Sequence, residues 1–325
     1  MKLNFRSIVK GIGHSPLIDV LLFPFVFISA VILRAVRRIG LEHLKISKKA
    51  LLKVGVMPIC NHYYEPLFDK KCLRKPLSEN RELPGIDWNI TEQISLLEKF
   101  HYNDEFDNIP SDYIDDLSFN FNNDSFESGD AEYWYNIVRL KKPKTIVEIG
   151  SGSSTKIAQL AIKKNIIEDE NYKCEHICIE PYEMPWLEEL NVDVIRKKVE
   201  EVNKEVFKKL DTNDILFIDS SHMIRPQGDV LYEYLELLPT LNNGVIVHIH
   251  DIFSPKDYPE DWVIGKVRFW NEQYLLEAFL TSNSKWRIIG ALNFLHHKKY
   301  KLLKDKCPRL TPEREPGSFY IQKQA

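Results

Sequence analysis

The chain has 325 residues, 44% hydrophobic and 28% charged, with a net charge of −3, the composition of a soluble globular protein with room for one large domain or two ordinary ones. Its five cysteines, Cys60, Cys72, Cys174, Cys178 and Cys307, are odd in number and lack the paired short spacings of a zinc site, so they read as free thiols in a reducing compartment. The small total charge hides an asymmetry: up to residue 60 ten basic residues face only Asp19 and Glu42, about +8, which leaves about −11 for the remainder.

The basic stretch begins with Lys2, Arg6 and Lys10, turns apolar over 20–33 apart from Ser29, contains Pro24, and ends in Arg34, Arg37 and Arg38. A tract of about 14 residues is short of the roughly 20 that span a bilayer. No clear small-residue cleavage site comes after it, so neither a spanning helix nor a signal peptide is expected. On a helix, positions 34, 37 and 38 share a face and set three guanidinium groups beside the apolar stretch, which suits anionic head groups. Two readings of residues 1–56 stay open. One is contact with a membrane surface, or re-entrant insertion, through residues 1–40; the other is a hydrophobic helix packed on the main domain. The basic residues lack interleaved aromatics, so no nucleic-acid partner is expected.

Residues 57–125 are rich in Pro, Asn, Asp and aromatics and read as a cap or lid, with a helix expected over 91–100 from the spacing of Ile94, Leu96, Leu97 and Phe100. From residue 126 strands and helices alternate, the pattern of a mostly parallel sheet. A helix over 133–140 leads into the first strand, Thr145–Ile149. Further strands are expected over 176–179, 192–196, 215–218 and 245–249, a helix over 267–280, and a closing antiparallel pair over 286–292 and 318–322.

The first strand breaks into Gly150-Ser151-Gly152-Ser153, a glycine turn that brings backbone close to a ligand at the carboxyl edge of a sheet. A dinucleotide fold would want a third glycine at 155, where this chain has Thr155. A cofactor with an amino-acid ammonium group would want a carboxylate near the turn, which Glu148 supplies; S-adenosylmethionine is the common cofactor of that kind. Glu180 ends the second strand, where open α/β domains hold ribose hydroxyls. Pro181, Tyr182, Met184, Pro185 and Trp186 then offer apolar surface for an adenine.

The fourth strand runs into Asp219-Ser220-Ser221-His222 and the fifth into His248-Ile249-His250-Asp251, all at the edge of the glycine turn. Alternation puts His248 and His250 on one face, with His248 deeper and read as a hydrogen-bonded core residue. Asp219, His222 and His250 are the catalytic candidates, an imidazole with a pKa near neutrality removing a proton from a hydroxyl. Asp219, His250 and Asp251 are also candidate ligands for Mg²⁺ or another divalent cation. Arg268, Trp270, Asn271 and Glu272 are candidate substrate contacts.

On the motifs 147–152, 217–222 and 248–253, the chain resembles class I S-adenosylmethionine-dependent methyltransferases, and among them bacterial small-molecule O-methyltransferases. The resemblance covers roughly residues 125–325 and implies a doubly wound, mostly parallel seven-stranded α/β sheet, here with an N-terminal helical extension. It implies S-adenosylmethionine contacts at Glu148, Gly150, Ser151, Gly152, Ser153, Glu180 and Asp219. Metal-dependent members carry an aspartate and asparagine where this chain has His250 and Asp251, and Ser154 stands where a third glycine is common. The expected function is methyl transfer to a hydroxyl of a sugar, glycolipid or secondary metabolite, in the cytoplasm at the inner membrane face, with a homo-oligomer left open. The alternatives are a nicotinamide-dependent oxidoreductase and a non-catalytic, membrane-associated cofactor-binding protein.

Overall fold

The structure, a computed structural model, describes residues 16–182 and 184–325, so Lys2, Arg6 and Lys10 lie outside the described residues. The chain divides into two compact units, Met1–Arg74 and Lys75–Ala325.

In the first unit, helix α1 (Pro16–Ile39) is followed by α2 (Lys45–Val54). At 24 residues α1 is longer than the apolar tract suggests. Pro16 suits a first helical turn, and Arg37 and Arg38 suit the negative end of the helix dipole, so the helix absorbs the flanking residues. It is thereby long and apolar enough to cross a membrane, by length and composition. The expectation that the tract is too short is corrected on this point. No residue of α1 is buried. Gly55 ends α2 in the left-handed region (φ 81°), where its N–H reaches the carbonyls of Leu51 and Leu52.

The second unit is built on a seven-stranded sheet of order β3-β2-β1-β4-β5-β7-β6. Its strands are β1 (Thr145–Ile149), β2 (Glu175–Ile179), β3 (Asp193–Ile195), β4 (Ile215–Ile218), β5 (Ile246–Ile249), β6 (Trp286–Ala291) and β7 (Phe319–Lys323). Strands β1 to β5 pair in parallel, and β7 runs antiparallel to both β5 and β6. The expected antiparallel pair is therefore refined: β7 enters between β5 and β6, which makes β6 the sheet edge and leaves β7 the one reversed strand.

The central strands are apolar at nearly every position because both faces are covered. Ile146, Ile215, Phe217 and Ile246 pack on one side with α3 (Ile90–Glu98), α4 (Asp130–Lys141), α5 (Ser153–Glu168) and the helix Leu292–Lys306. Val147, Ile149, Leu216, Ile218, Val247 and Ile249 pack on the other with residues 230–241 and with Leu276 and Leu280 of the helix Glu272–Leu280. That last helix begins five residues later than expected. Val267 lies in the left-handed region (φ 52°) and Asn271 is neither helical nor extended (φ −148°, ψ 6°), so residues 267–271 form a loop at the sheet's carboxyl edge.

Part of the expected cap belongs to this unit. Arg81 pairs with Asp257 at 3.1 Å and with Glu277, the Gln93 side chain accepts from Ala291 N–H at 2.8 Å, and Phe100 and Phe106 are fully in the core. Arg139 of α4 is the most heavily committed cation. Its buried guanidinium donates to Glu105 at 2.8 and 2.9 Å and to Asn165 and Glu168, with Tyr102 stacked 4.5 Å away. Arg139→Ala is expected to cost about 3 kcal/mol, because three partners lose their shared donor, although Glu105 and Glu168 can still reach water. Arg139→Lys should recover only part, having no fork to bridge them. Urea unfolding of the variants checks both.

Candidate active site

In the strand order, neighbours diverge from β1: β2 and β3 lie on one side, β4 and the rest on the other. Connections leave the carboxyl ends of β1 and β4 in opposite directions there and open a crevice. Gly150 sits at this point with φ 79°, its N–H donating to the Ile179 carbonyl at 3.0 Å. A Cβ on Gly150 would lie 2.0 Å from the Asp219 carbonyl oxygen, so only glycine lets the two loops meet. A cavity of about 380 Å³ opens beside them, walled by Gly150, Ser151, Glu180, Tyr182, Met184 and Asp219.

The sequence candidates divide around this cavity. Gly150, Ser151, Glu180 and Asp219 line it; Pro181, Tyr182 and Met184 do too, while Pro185 and Trp186 do not. Trp186 instead lies under the Lys156 ammonium at 4.2 Å. Glu180 accepts from the Tyr182 N–H at 2.9 Å, which shapes the turn after β2. Ser153 lies at the start of α5 against Ser125, 3.3 Å away, outside the cavity wall.

Glu148 takes a different place from the one its sequence position suggests. Its side chain is fully buried beneath the turn, where one oxygen accepts from Thr155 Oγ1 at 2.6 Å and His176 Nε2 at 3.0 Å. Thr155 Oγ1 in turn accepts from the Gly152 N–H at 3.1 Å. The residue standing where a dinucleotide motif has glycine therefore ties the turn to the strand. The other Glu148 oxygen and Ser151 Oγ are buried and make no hydrogen bond, two polar groups at the turn that a ligand could satisfy.

Behind the cavity lies a compact cluster of carboxylates and imidazoles. His222 Nε2 is 3.2 Å from Asp219 and 3.6 Å from Asp251, and Nδ1 donates to Glu272 at 2.8 Å. His250 Nδ1 is 3.5 Å from Asp219 and 3.6 Å from Asp251, with Asp130 3.9 Å from Nε2. His222 and Asp251 both sit in the left-handed region (φ 57° and 58°), a local strain that aims them into one space. His248 is buried as expected, with Nε2 2.8 Å from Ser318 Oγ and its ring stacked on Tyr320.

The cluster sets its own protonation. Burial opposes charge on His222, but Asp219, Glu272 and Asp251 outweigh it and hold the imidazole well above its usual pKa. Burial likewise opposes the charge of His250, and Asp251, Asp219 and Asp130 reverse it. Asp219, despite its own desolvation, is held well below the carboxylate range by the two histidines. The two imidazoles are thus proton donors and counter-ions to the acids. Their pKa values differ in direction from the near-neutral imidazole expected of a base, because the sequence places two acids beside them and the fold adds Glu272 and Asp130.

Asp219, His222 and Asp251 can bring their ligand atoms within 4.8 Å of one another, a geometry open to a cation. The imidazole in this set is His222, whereas the sequence pattern pairs the acids with His250. The carboxylates that hold a proton on His222 would equally hold a divalent ion in its place, since a bound cation reverses the local pKa balance.

The substrate candidates separate as well. Glu272 is fully buried and holds His222 and the Tyr234 hydroxyl (3.0 Å), and Asn271 accepts from the Ile224 N–H at 2.7 Å, so both serve the scaffold of the 222–224 loop. Trp270 lies on His222 with ring centroids 4.2 Å apart, and the Arg268 guanidinium stacks on Trp270 and Trp262 at 4.2 and 4.7 Å. Asp130 is a site residue that the sequence reading misses. Its signal there is only an acid at a helix start, and here it accepts from the Gly317 and Ser318 N–H groups while facing His250.

A family profile described as a methyltransferase domain matches residues 147–252, which contain both the glycine turn and the carboxylate–imidazole cluster. An uncharacterized protein from Archaeoglobus fulgidus is 32% identical over 177 residues, covering 50% of this chain and 78% of its own length. Residues 147–252 thus form a methyltransferase domain, in line with the chain's resemblance to the class I S-adenosylmethionine-dependent methyltransferases. Solved structures similar to this methyltransferase include an O-methyltransferase from Bacillus cereus in complex with SAH (13% identity, TM-score 0.36, covering 73% of this chain and 98% of that one). A putative methyltransferase from Thermobifida fusca is comparable (12% identity, TM-score 0.35, covering 74% and 98%).

In this methyltransferase Glu272 is the anion nearest to His222, at 2.8 Å, beside Asp219 at 3.2 Å. Glu272→Gln is expected to lower the His222 pKa towards its ordinary value, because the charge that favours the imidazolium is gone while the side-chain shape is kept. Histidine titration by ¹H–¹⁵N spectroscopy reads the shift, and an unmoved His222 would show that Asp219 and Asp251 suffice.

Proposed function

We propose that the chain transfers a methyl group from S-adenosylmethionine to a hydroxyl oxygen of a sugar, glycolipid or secondary-metabolite acceptor. The observation that carries this reading is the position of Asp219, which walls the glycine-turn cavity and also belongs to the carboxylate–imidazole cluster. A donor site and a group able to manage a hydroxyl proton are thus adjacent through one residue. When bound, S-adenosylmethionine supplies an electrophilic methyl carbon on a sulfonium.

In this reading the turn at Gly150, Ser151 and Gly152 holds the amino-acid end, where Ser151 Oγ and one Glu148 oxygen lack partners. Glu180 takes the ribose hydroxyls, and Pro181, Tyr182 and Met184 flank the base. Alignment of the two reactants accounts for most of the rate, since the displacement is in line and the protein has one proton to remove. Asp251, whose carboxyl is pushed up by burial although the two imidazoles pull it down, receives that proton from the acceptor hydroxyl. A divalent cation held by Asp219, His222 and Asp251 would lower the pKa of the same hydroxyl.

Calorimetry with S-adenosylhomocysteine, with NAD(H) as control, tests the donor: saturable binding of the first alone is expected. Gly150→Ala should abolish it, because the added Cβ meets backbone that cannot swing aside. Asp251→Asn should keep the affinity and lower turnover by ~10²-fold or more in an acceptor screen run with magnesium and with chelator. Binding of NAD(H) in place of the homocysteine product would overturn the reading.

Membrane contact through residues 1–40, at the cytoplasmic face, is part of the same proposal. It is supported by the length and composition of α1. Removal of residues 1–40 is expected to shift the protein from the membrane to the soluble fraction of a cell lysate, and unchanged partitioning would refute the contact.

A further inference from the structure

The end of α1 carries more than an apolar surface. Over the 18 residues from Pro16 to Leu33 the only charge is Asp19; Arg34 comes directly after them. At 1.5 Å per residue Arg34 lies about 27 Å along the helix, close to the roughly 30 Å of a bilayer's hydrocarbon core. At that level the first unit forms a cavity of about 830 Å³ lined by Leu33, Arg34, Arg37, Arg38, His62 and Glu65 among others. Arg37 is already committed, its Nε donating to Glu65 at 2.7 Å. Arg34 and Arg38, one helical turn apart, have no carboxylate partner among the described residues.

A second observation points the same way. Helix α2 presents Lys45, Lys48, Lys49 and Lys53 together with exposed Ile46, Leu52 and Val54. A short helix that is both basic and apolar on its exposed surface is suited to the head-group boundary of an anionic bilayer.

We propose that this cavity is a head-group site for an anionic phospholipid, with the lipid phosphate held by Arg34 and Arg38. The inference rests on the membrane contact proposed above and adds its ligand. Two guanidinium forks without a carboxylate suit a phosphodiester, and Arg37, neutralised by Glu65, lines the same cavity. The apolar helix leading to the cavity selects a lipid over a phosphate in solution, because it brings the site to the level where lipid phosphates lie.

The test is co-flotation of the full-length protein with vesicles of phosphatidylcholine alone, or of phosphatidylcholine and phosphatidylglycerol at roughly three to one. The double variant R34Q/R38Q is compared with K48Q/K49Q, which removes the same charge from α2. Wild type should favour the anionic vesicles by about tenfold or more, R34Q/R38Q should lose that preference while keeping its binding to neutral vesicles, and K48Q/K49Q should retain most of it. Equal losses in the two variants would mean diffuse attraction and overturn the site. So would an unchanged preference in R34Q/R38Q. Saturable calorimetric binding of glycerol 3-phosphate without any vesicle preference would assign the cavity to a soluble phosphate and overturn the lipid. No flotation with either vesicle would remove the membrane contact itself. S-adenosylhomocysteine binding, monitored in parallel as a measure of folding, should be unchanged in both variants, so the donor-site reading stands or falls separately.

Discussion

The contact between the Gly150 turn and the Asp219 backbone is the constraint on which the site depends. Two parallel strands at the centre of a sheet present their carboxyl ends side by side, and the loops leaving them must turn away without collision. With 2.0 Å between a would-be Cβ and a carbonyl oxygen, the β1 turn can pass only as glycine in the left-handed region. That passage places Ser151 and Asp219 on the wall of one cavity, and the buried chain of Gly152, Thr155, Glu148 and His176 keeps the turn from relaxing. Glu148 thus acts from below the turn, through the hydrogen bonds that shape it.

The neighbouring cluster depends on a different balance. Asp219, Asp251, Glu272 and Asp130 surround two buried imidazoles, and a group of buried and half-buried acids this dense persists only if positive charge is shared among them. In the protein alone that charge is the proton on each histidine. A divalent cation is the other natural occupant of the same field, so the ionisation of His222 and metal affinity are two expressions of one electrostatic arrangement. Trp270 closes the cluster on one side by lying against His222. It is held at the end of a loop that is not helical, which is why a side chain on 270 can reach over the strand ends at all.

The first unit applies the same physics of burying charge and apolar surface in another setting. Its helix is apolar without any buried residue, and its arginines gather where the apolar run stops. An apolar stretch with no buried side is stable in contact with hydrocarbon or another apolar surface, and a ring of guanidinium groups at its end is stable in contact with phosphate. Seven of the ten basic residues among the first sixty therefore have a location, at the end of α1 and along α2.

Much of the second unit was legible in the chain because short β-branched runs between turn residues carry their own signal. The first and fourth strands begin and end at the residues where alternation and glycine, proline or aspartate punctuation place them, and the acids after the second, fourth and fifth strands, Glu180, Asp219 and Asp251, accord with the rule that such sheets bind at their carboxyl edge. The extent of α1 and the late start of the helix at Glu272 were not legible, since arginines continue a helix as readily as they end one and a left-handed Val267 leaves no mark in the composition. The sequence by itself determined the fold class, the glycine turn and the acids at the strand ends, all local patterns with periods of two to four residues. Only the tertiary structure decided that Glu272 and Asp130, 53 residues after and 89 before Asp219, close on the same two histidines, that His222 rather than His250 shares a cation-sized space with Asp219 and Asp251, and that β7 enters between β5 and β6. Those outcomes depend on which distant segments share a space, and no local propensity encodes that.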